Sequence, residues 1–199
     1  MTVLKTLIAS IPRPLLFALA AVIQIALIAV MVYDRVRVLR QGTEVTLQTR
    51  PVDPRDFLRG DYVVLNYEIT NLPAGALRDT PSKGRGTPVF VKLVRKPDGV
   101  YAADSVHAGP VPVTDGESLI RGRVVSGATC GSDRRHFCET LFVNYGIERY
   151  FVPQDEGKEI ERSRNQGQVS VVAAVTPAGR AAIKRLLLGG KPVYDEPMF

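Results

Sequence analysis

The chain has 199 residues, 26 Lys plus Arg against 20 Asp plus Glu, 45% hydrophobic residues, two cysteines and no tryptophan. Abundant Val, Leu and Ile beside 23% charge exclude a disordered polyampholyte, and two cysteines exclude a miniprotein built on disulfides. The net charge of +6 is concentrated at the start: the first 40 residues carry +4 and the other 159 only +2, too little for the basic face of a nucleic-acid binder.

Residues 1–14 read as a short basic tail. From Leu15 to Val32 the sequence LLFALAAVIQIALIAVMV has no charge, with Gln24 as its strongly polar side chain. A helix of that length spans roughly 27 Å, close to the width of a bilayer's hydrocarbon, and Tyr33 follows at the interface. The spacing predicts a transmembrane helix over 15–33 and a juxtamembrane linker over 34–42. A cleaved leader needs a small-residue site after its apolar core; Ala18-Leu19-Ala20 lies inside the run and Met31-Val32-Tyr33 offers none, so the segment reads as an uncleaved anchor in the cytoplasmic membrane. Its direction is less direct. Lys5, Arg13 and the terminal amine precede the span while Arg35, Arg37 and Arg40 follow it, a count that weakly favours a cytoplasmic head. The rule weakens for a short tail before a long domain, and two cysteines favour an oxidising side, so the head is expected outside, in the periplasm.

Beyond residue 42 the apolar pattern turns to alternation, the period of half-buried strands. Thr43–Thr49 alternates, and Tyr62–Ile69 sets Val63, Leu65, Tyr67 and Ile69 on one face. Asn71–Thr87, rich in Pro, Gly and small polar residues, reads as an exposed excursion. Val89–Arg95 and Val100–Ser105 flank Lys96-Pro97-Asp98-Gly99, the clearest hairpin. Further strands are expected at Leu119–Ser126, Thr140–Tyr145, Glu148–Val152 and Val169–Val175, with one short helix at Glu156–Arg164 capped by Asp155. Ala181–Leu188 has helix formers after Thr176-Pro177, but Gly189-Gly190 suits a last hairpin into Pro192-Val193-Tyr194, and the strand reading is preferred. The fold class is therefore mainly β, an antiparallel barrel or sandwich over 43–199 behind a single N-terminal transmembrane helix.

The densest polar cluster runs from Arg50 to Asp61, three arginines and three aspartates around Pro51 and Pro54. It reads first as a stiff loop with internal pairing, and second as a ligand or partner surface. Cys130 and Cys138 bracket a polar loop. A disulfide there would close it; free thiols are the alternative, and a metal site with His136 lacks a fourth ligand. His136 reads as a loop residue and His107, beside Ala108-Gly109-Pro110, as a turn residue. No metal or cofactor is expected.

Gly60-Asp61-Tyr62-Val63-Val64-Leu65-Asn66-Tyr67 resembles the signature of the GDYXXLXY family of membrane-anchored bacterial proteins, at Gly60, Asp61, Tyr62, Leu65 and Tyr67. Tyr145-Gly146-Ile147-Glu148-Arg149-Tyr150-Phe151-Val152-Pro153 is also similar to that family, with Gln154 departing from the acidic residue expected there. The resemblance implies an envelope protein of unknown biochemical role, accompanied by a polytopic membrane protein. Glu148 and Tyr150 fall on one face of their strand. With that strand beside Tyr62–Ile69, Arg59, Asp61, Tyr62, Tyr145, Glu148 and Tyr150 form a candidate binding surface. An enzyme is the competing class. The outline resembles a type I signal peptidase, but Pro51 stands where its serine would be, leaving Lys92 a base without a nucleophile. A non-catalytic module binding a membrane partner is the preferred reading, with a silent or hydrolase-like signal-peptidase relative as the alternative; any small-molecule ligand stays unnamed.

Overall fold

A computed structural model describes residues 12–50, 62–73, 76–78, 84–129, 137–151 and 169–195. The chain divides into two units, Met1–Arg37 and Val38–Phe199.

The first unit is helical. Helix α1 spans Arg13–Gln41, and its 18-residue apolar window has mean hydropathy 2.9 with none of it buried against protein. Phe17, Ile25, Leu27, Val30 and Met31 are all more than 60% exposed. An apolar surface on every side of a helix is stable only in lipid or against other apolar chains. The helix continues beyond the apolar run as far as Gln41.

The second unit begins in the last turn of that helix. Val38 and Leu39 are buried and cluster with Ala182, and Gly42 N–H donates to the Val38 carbonyl at 2.9 Å to close the helix. The chain then enters β1 (Thr43–Arg50), whose alternation puts Val45, Leu47 and Thr49 inside. The signature segment follows as three short pieces, β2 (Tyr62–Val64), β3 (Asn66–Tyr67) and β4 (Asn71–Pro73), with a 3-10 turn at Glu68–Thr70 between the last two. The other strands are β5 (Pro88–Arg95), β6 (Tyr101–His107), β7 (Glu117–Thr129), β8 (Phe137–Asn144), β9 (Arg149–Phe151), β10 (Val169–Val175), β11 (Ala181–Leu188) and β12 (Lys191–Asp195).

These form two five-stranded antiparallel sheets, β12-β11-β10-β1-β3 and β4-β8-β7-β5-β6, and a two-stranded ribbon β2-β9. A shared core joins the sheets: Val45, Leu47, Val171 and Ile183 from the first meet Val89, Val91, Ile120 and Val143 from the second. Burial of such side chains, each contributing roughly 1.5–3 kcal/mol, is the main stabilising term. β10 is buried along its whole length, on both faces. The β10–β11 turn also ties the sheets, since Arg121 N–H donates to the Gly179 carbonyl at 2.7 Å. On the other flank a parallel bridge between Thr46 and Val100 links β1 to the start of β6, so the sheets nearly close into a barrel.

The mainly β, antiparallel fold behind one N-terminal apolar helix matches the expectation, including the hairpin at Lys96–Gly99, where Asp98 Oδ1 accepts from Val100 N–H at 3.0 Å. The terminal hairpin β11–β12 also forms, turning at Gly189-Gly190. Two expectations are corrected. Tyr62–Ile69 is not one strand: the 3-10 turn breaks it, because this stretch must pass from one sheet to the other. Asn71–Thr87 is not wholly an excursion, because Asn71–Pro73 pairs with Thr140–Phe142 and buries Leu72. The expected helix at Glu156–Arg164 lies outside the described residues.

Candidate functional site

The signature segment is the seam of the fold. Over twelve residues, β2 pairs with β9, β3 pairs with the end of β1, and β4 pairs with β8, so this single stretch touches both sheets and the ribbon. A segment that switches sheets leaves backbone groups without ladder partners, and buried carbonyls of that kind need side-chain donors.

Two tyrosines supply them, reciprocally. The Tyr67 hydroxyl donates to the Ile147 carbonyl at 2.6 Å, and the Tyr145 hydroxyl donates to the Ile69 carbonyl at 2.6 Å. Each ring reaches across to the carbonyl two residues beyond the other tyrosine. Tyr67 is fully buried and Tyr145 is 7% exposed. Burial pushes both hydroxyls well above the ordinary tyrosine range, and the nearby Glu148 carboxylate adds to the rise.

Glu148 closes the turn between β8 and β9. Its carboxylate accepts from Tyr145 N–H through Oε1 and from Gly146 N–H at 2.9 Å through Oε2, while Asn144 Oδ1 also accepts from Gly146 N–H at 3.0 Å. Gly146 sits at φ +81°, a conformation that side chains resist. The Glu148 backbone carbonyl then accepts from Leu65 N–H at 2.8 Å, which docks this turn on the signature segment. Leu65 and Tyr150 are buried at 1% and 3% exposure.

The predicted adjacency of the two motifs is therefore present, with Tyr62 opposite Phe151, Val63 opposite Tyr150 and Val64 opposite Arg149. Of the candidate surface's described side chains, Tyr145 and Tyr150 are buried, and Glu148 is half-buried with both carboxylate oxygens accepting backbone N–H groups. Arg59, Gly60, Asp61, Cys130, His136 and Gln154 lie outside the described residues, as do the side chains of Tyr62 and Cys138.

Gly122 on β7 was not legible as part of this site. A Cβ there would clash with Val143 Cγ1 and lie 3.1 Å from the Asn144 carbonyl oxygen and 3.1 Å from Tyr145 Cδ1. The bare backbone makes room for the Tyr145 ring. Gly122→Ala is expected to cost about 1–2 kcal/mol by overpacking. Adding Val143→Ala removes the clashing methyl, so thermal unfolding of the double variant should fall short of the summed single losses.

A second polar string lies on β6. The β5–β6 register shifts between Lys92 and Leu93, leaving Asp104 as an extra residue of a bulge, and His107 is the last strand residue rather than part of a turn. Ser105 Oγ donates to Asp104 Oδ2 at 3.0 Å and lies 3.0 Å from His107 Nε2. At 3% exposure, Ser105 lies between these two neighbours inside the strand.

Lys92 is engaged in its own pair: Nζ lies 2.8 Å from Glu117 Oε1, and Thr114 N–H donates to Glu117 Oε2 at 2.8 Å. The Lys92 hydrogen bond first, then the Thr114 backbone bond, hold the Glu117 carboxyl down to about 2 from its ordinary 4.5. A depressed carboxyl adds stability that is complete above the unfolded value and disappears as pH falls through about 2. An NMR titration of the Glu117 carboxyl should show that low midpoint in wild type and a clear rise in Lys92→Met.

A model of the GDYXXLXY protein family matches residues 24–186. No curated protein and no solved structure matches the chain.

Proposed function

The chain belongs to the GDYXXLXY family, and from that membership we propose that it is a single-pass, membrane-anchored bacterial envelope protein whose β head is a non-catalytic module for binding or assembling a membrane partner. The observation that carries this reading is the apolar surface of α1 from Leu15 to Tyr33, none of it buried against protein, together with Tyr67, Tyr145 and Glu148, whose side chains serve the head's own backbone. Tyr67, Tyr145 and Glu148 hold the seam between sheets, so the motif supplies a rigid head, and the partner meets the surface that this head presents. The partner is a polytopic membrane protein, reached through helix packing along α1 and through the head. The head lies outside the cytoplasm, a placement supported by the pair Cys130 and Cys138 and opposed by the arginine count.

Crosslinking and co-purification from native membranes test the module reading. Recovery of one multi-span protein with the chain, lost when Leu15–Val32 is replaced by an unrelated apolar span, is expected. Recovery of the chain alone, together with turnover of a small molecule by the purified protein, overturns it. Membrane-impermeant thiol labelling of reduced Cys130 and Cys138 in intact spheroplasts tests the side; labelling confined to lysed cells contradicts the periplasmic placement.

A further inference from the structure

We infer that two copies of this chain pair along α1 through their Gln24 amides, an inference that rests on the anchor reading above and adds a like partner to the multi-span one. Nine uncharged residues, 15–23, precede Gln24 in the apolar run and eight, 25–32, follow it. At 1.5 Å per residue Gln24 stands about 12–14 Å from either end of the run, at the middle of the hydrocarbon. It is exposed and has no partner among the described residues. Hydrocarbon offers an amide no hydrogen bond, so a second helix that brings one is favoured at this depth.

The depth argues for a second copy. In a parallel pair of identical chains the two amides lie at one level by symmetry, and a primary amide is self-complementary: Nε2 of each copy donates while Oε1 of the other accepts. An unrelated helix would need a polar group of its own at that height. The rest of the face fits the same seam. Phe17, Ala20, Gln24, Leu27 and Met31 follow one another at alternating steps of three and four, the a and d positions of a left-handed helix pair. Phe17, Leu27 and Met31 are each more than 60% exposed, and Ala20, one turn before Gln24, lets the two backbones approach. Ala18, Val22, Ala26 and Ala29 fall on the opposite face and are left for the multi-span partner.

Sedimentation equilibrium of the full chain in density-matched neutral detergent micelles reads the copy number directly. Wild type is expected to pass from one copy to two as the protein-to-detergent ratio rises. Gln24→Leu, which keeps the helix and its apolar face, should raise the dissociation constant about tenfold, while Gln24→Asn, which keeps an amide, should stay within about threefold of wild type. A wild-type chain that remains single at every ratio, a Gln24→Leu chain that pairs as tightly as wild type, or equal losses in the Leu and Asn variants overturns the pairing while leaving the anchor intact. Release of the wild-type chain from native membranes by carbonate overturns the anchor and the pairing with it.

Discussion

A chain carrying both Tyr67→Phe and Tyr145→Phe is expected to lose about 2–4 kcal/mol of unfolding free energy, read from urea denaturation of the full chain in mild detergent. Each substitution keeps the ring and its packing, so the loss isolates one hydroxyl. What remains is a buried carbonyl, Ile147 in one case and Ile69 in the other, with its donor removed; such a group costs about 1–3 kcal/mol. The two bonds clamp the same pair of segments, 67–69 against 145–147. Loss of either loosens the contact that the other closes, so the double loss should fall below the sum of the singles by more than about 0.5 kcal/mol. A surface role for these tyrosines would predict changes within about 0.5 kcal/mol.

Gly42→Ala is expected to destabilise the head by about 3 kcal/mol, the largest effect of any single alanine substitution considered above. A Cβ at this position would lie 2.7 Å from the Val38 carbonyl oxygen, 2.8 Å from Val175 N and 2.9 Å from the Ala174 carbonyl carbon. All three are backbone atoms, which cannot rotate aside as Val143 can at Gly122. Relief requires the last helical turn to move off β10, which exposes Val38, Leu39 and Ala182. Hydrogen exchange should report the change first at the amides of Val38–Gly42 and the β10–β11 ladder. An alanine chain with wild-type exchange there would mean that the helix end does not seat on the sheet.

Much of the architecture was legible because period and punctuation agree. Val45, Leu47 and Thr49 alternate as a half-buried strand should, and Lys96-Pro97-Asp98-Gly99 carries its turn chemistry locally. The signature segment was misread for the opposite reason: Leu65, Tyr67 and Ile69 keep a period of two, yet the backbone changes sheet between them. Alternation reports burial; it does not report which neighbour provides it. Asn71–Pro73 was hidden by composition, since Leu72 stands between Asn71 and Pro73 at the head of a stretch rich in turn formers. The contiguity of the two motifs was anticipated, but their role was not. A tyrosine on a strand reads as surface or core with equal ease, and only the register shows that each hydroxyl meets a carbonyl left over from the sheet switch. Gly122 gave no signal at all, because its meaning lies in the Tyr145 ring 23 positions later.

The account stands on Tyr67 and Tyr145 being internal clamps. Alkaline titration of tyrosinate absorbance, followed beside circular dichroism, tests this directly. Raised hydroxyl values mean that their contribution to stability is complete below pH about 10 and is lost as pH climbs above it. Tyr67 and Tyr145 should ionise only as the β signal collapses, and the double phenylalanine chain should lack two equivalents from that late step. Reversible ionisation of both near pH 10 in a folded chain would contradict the clamp.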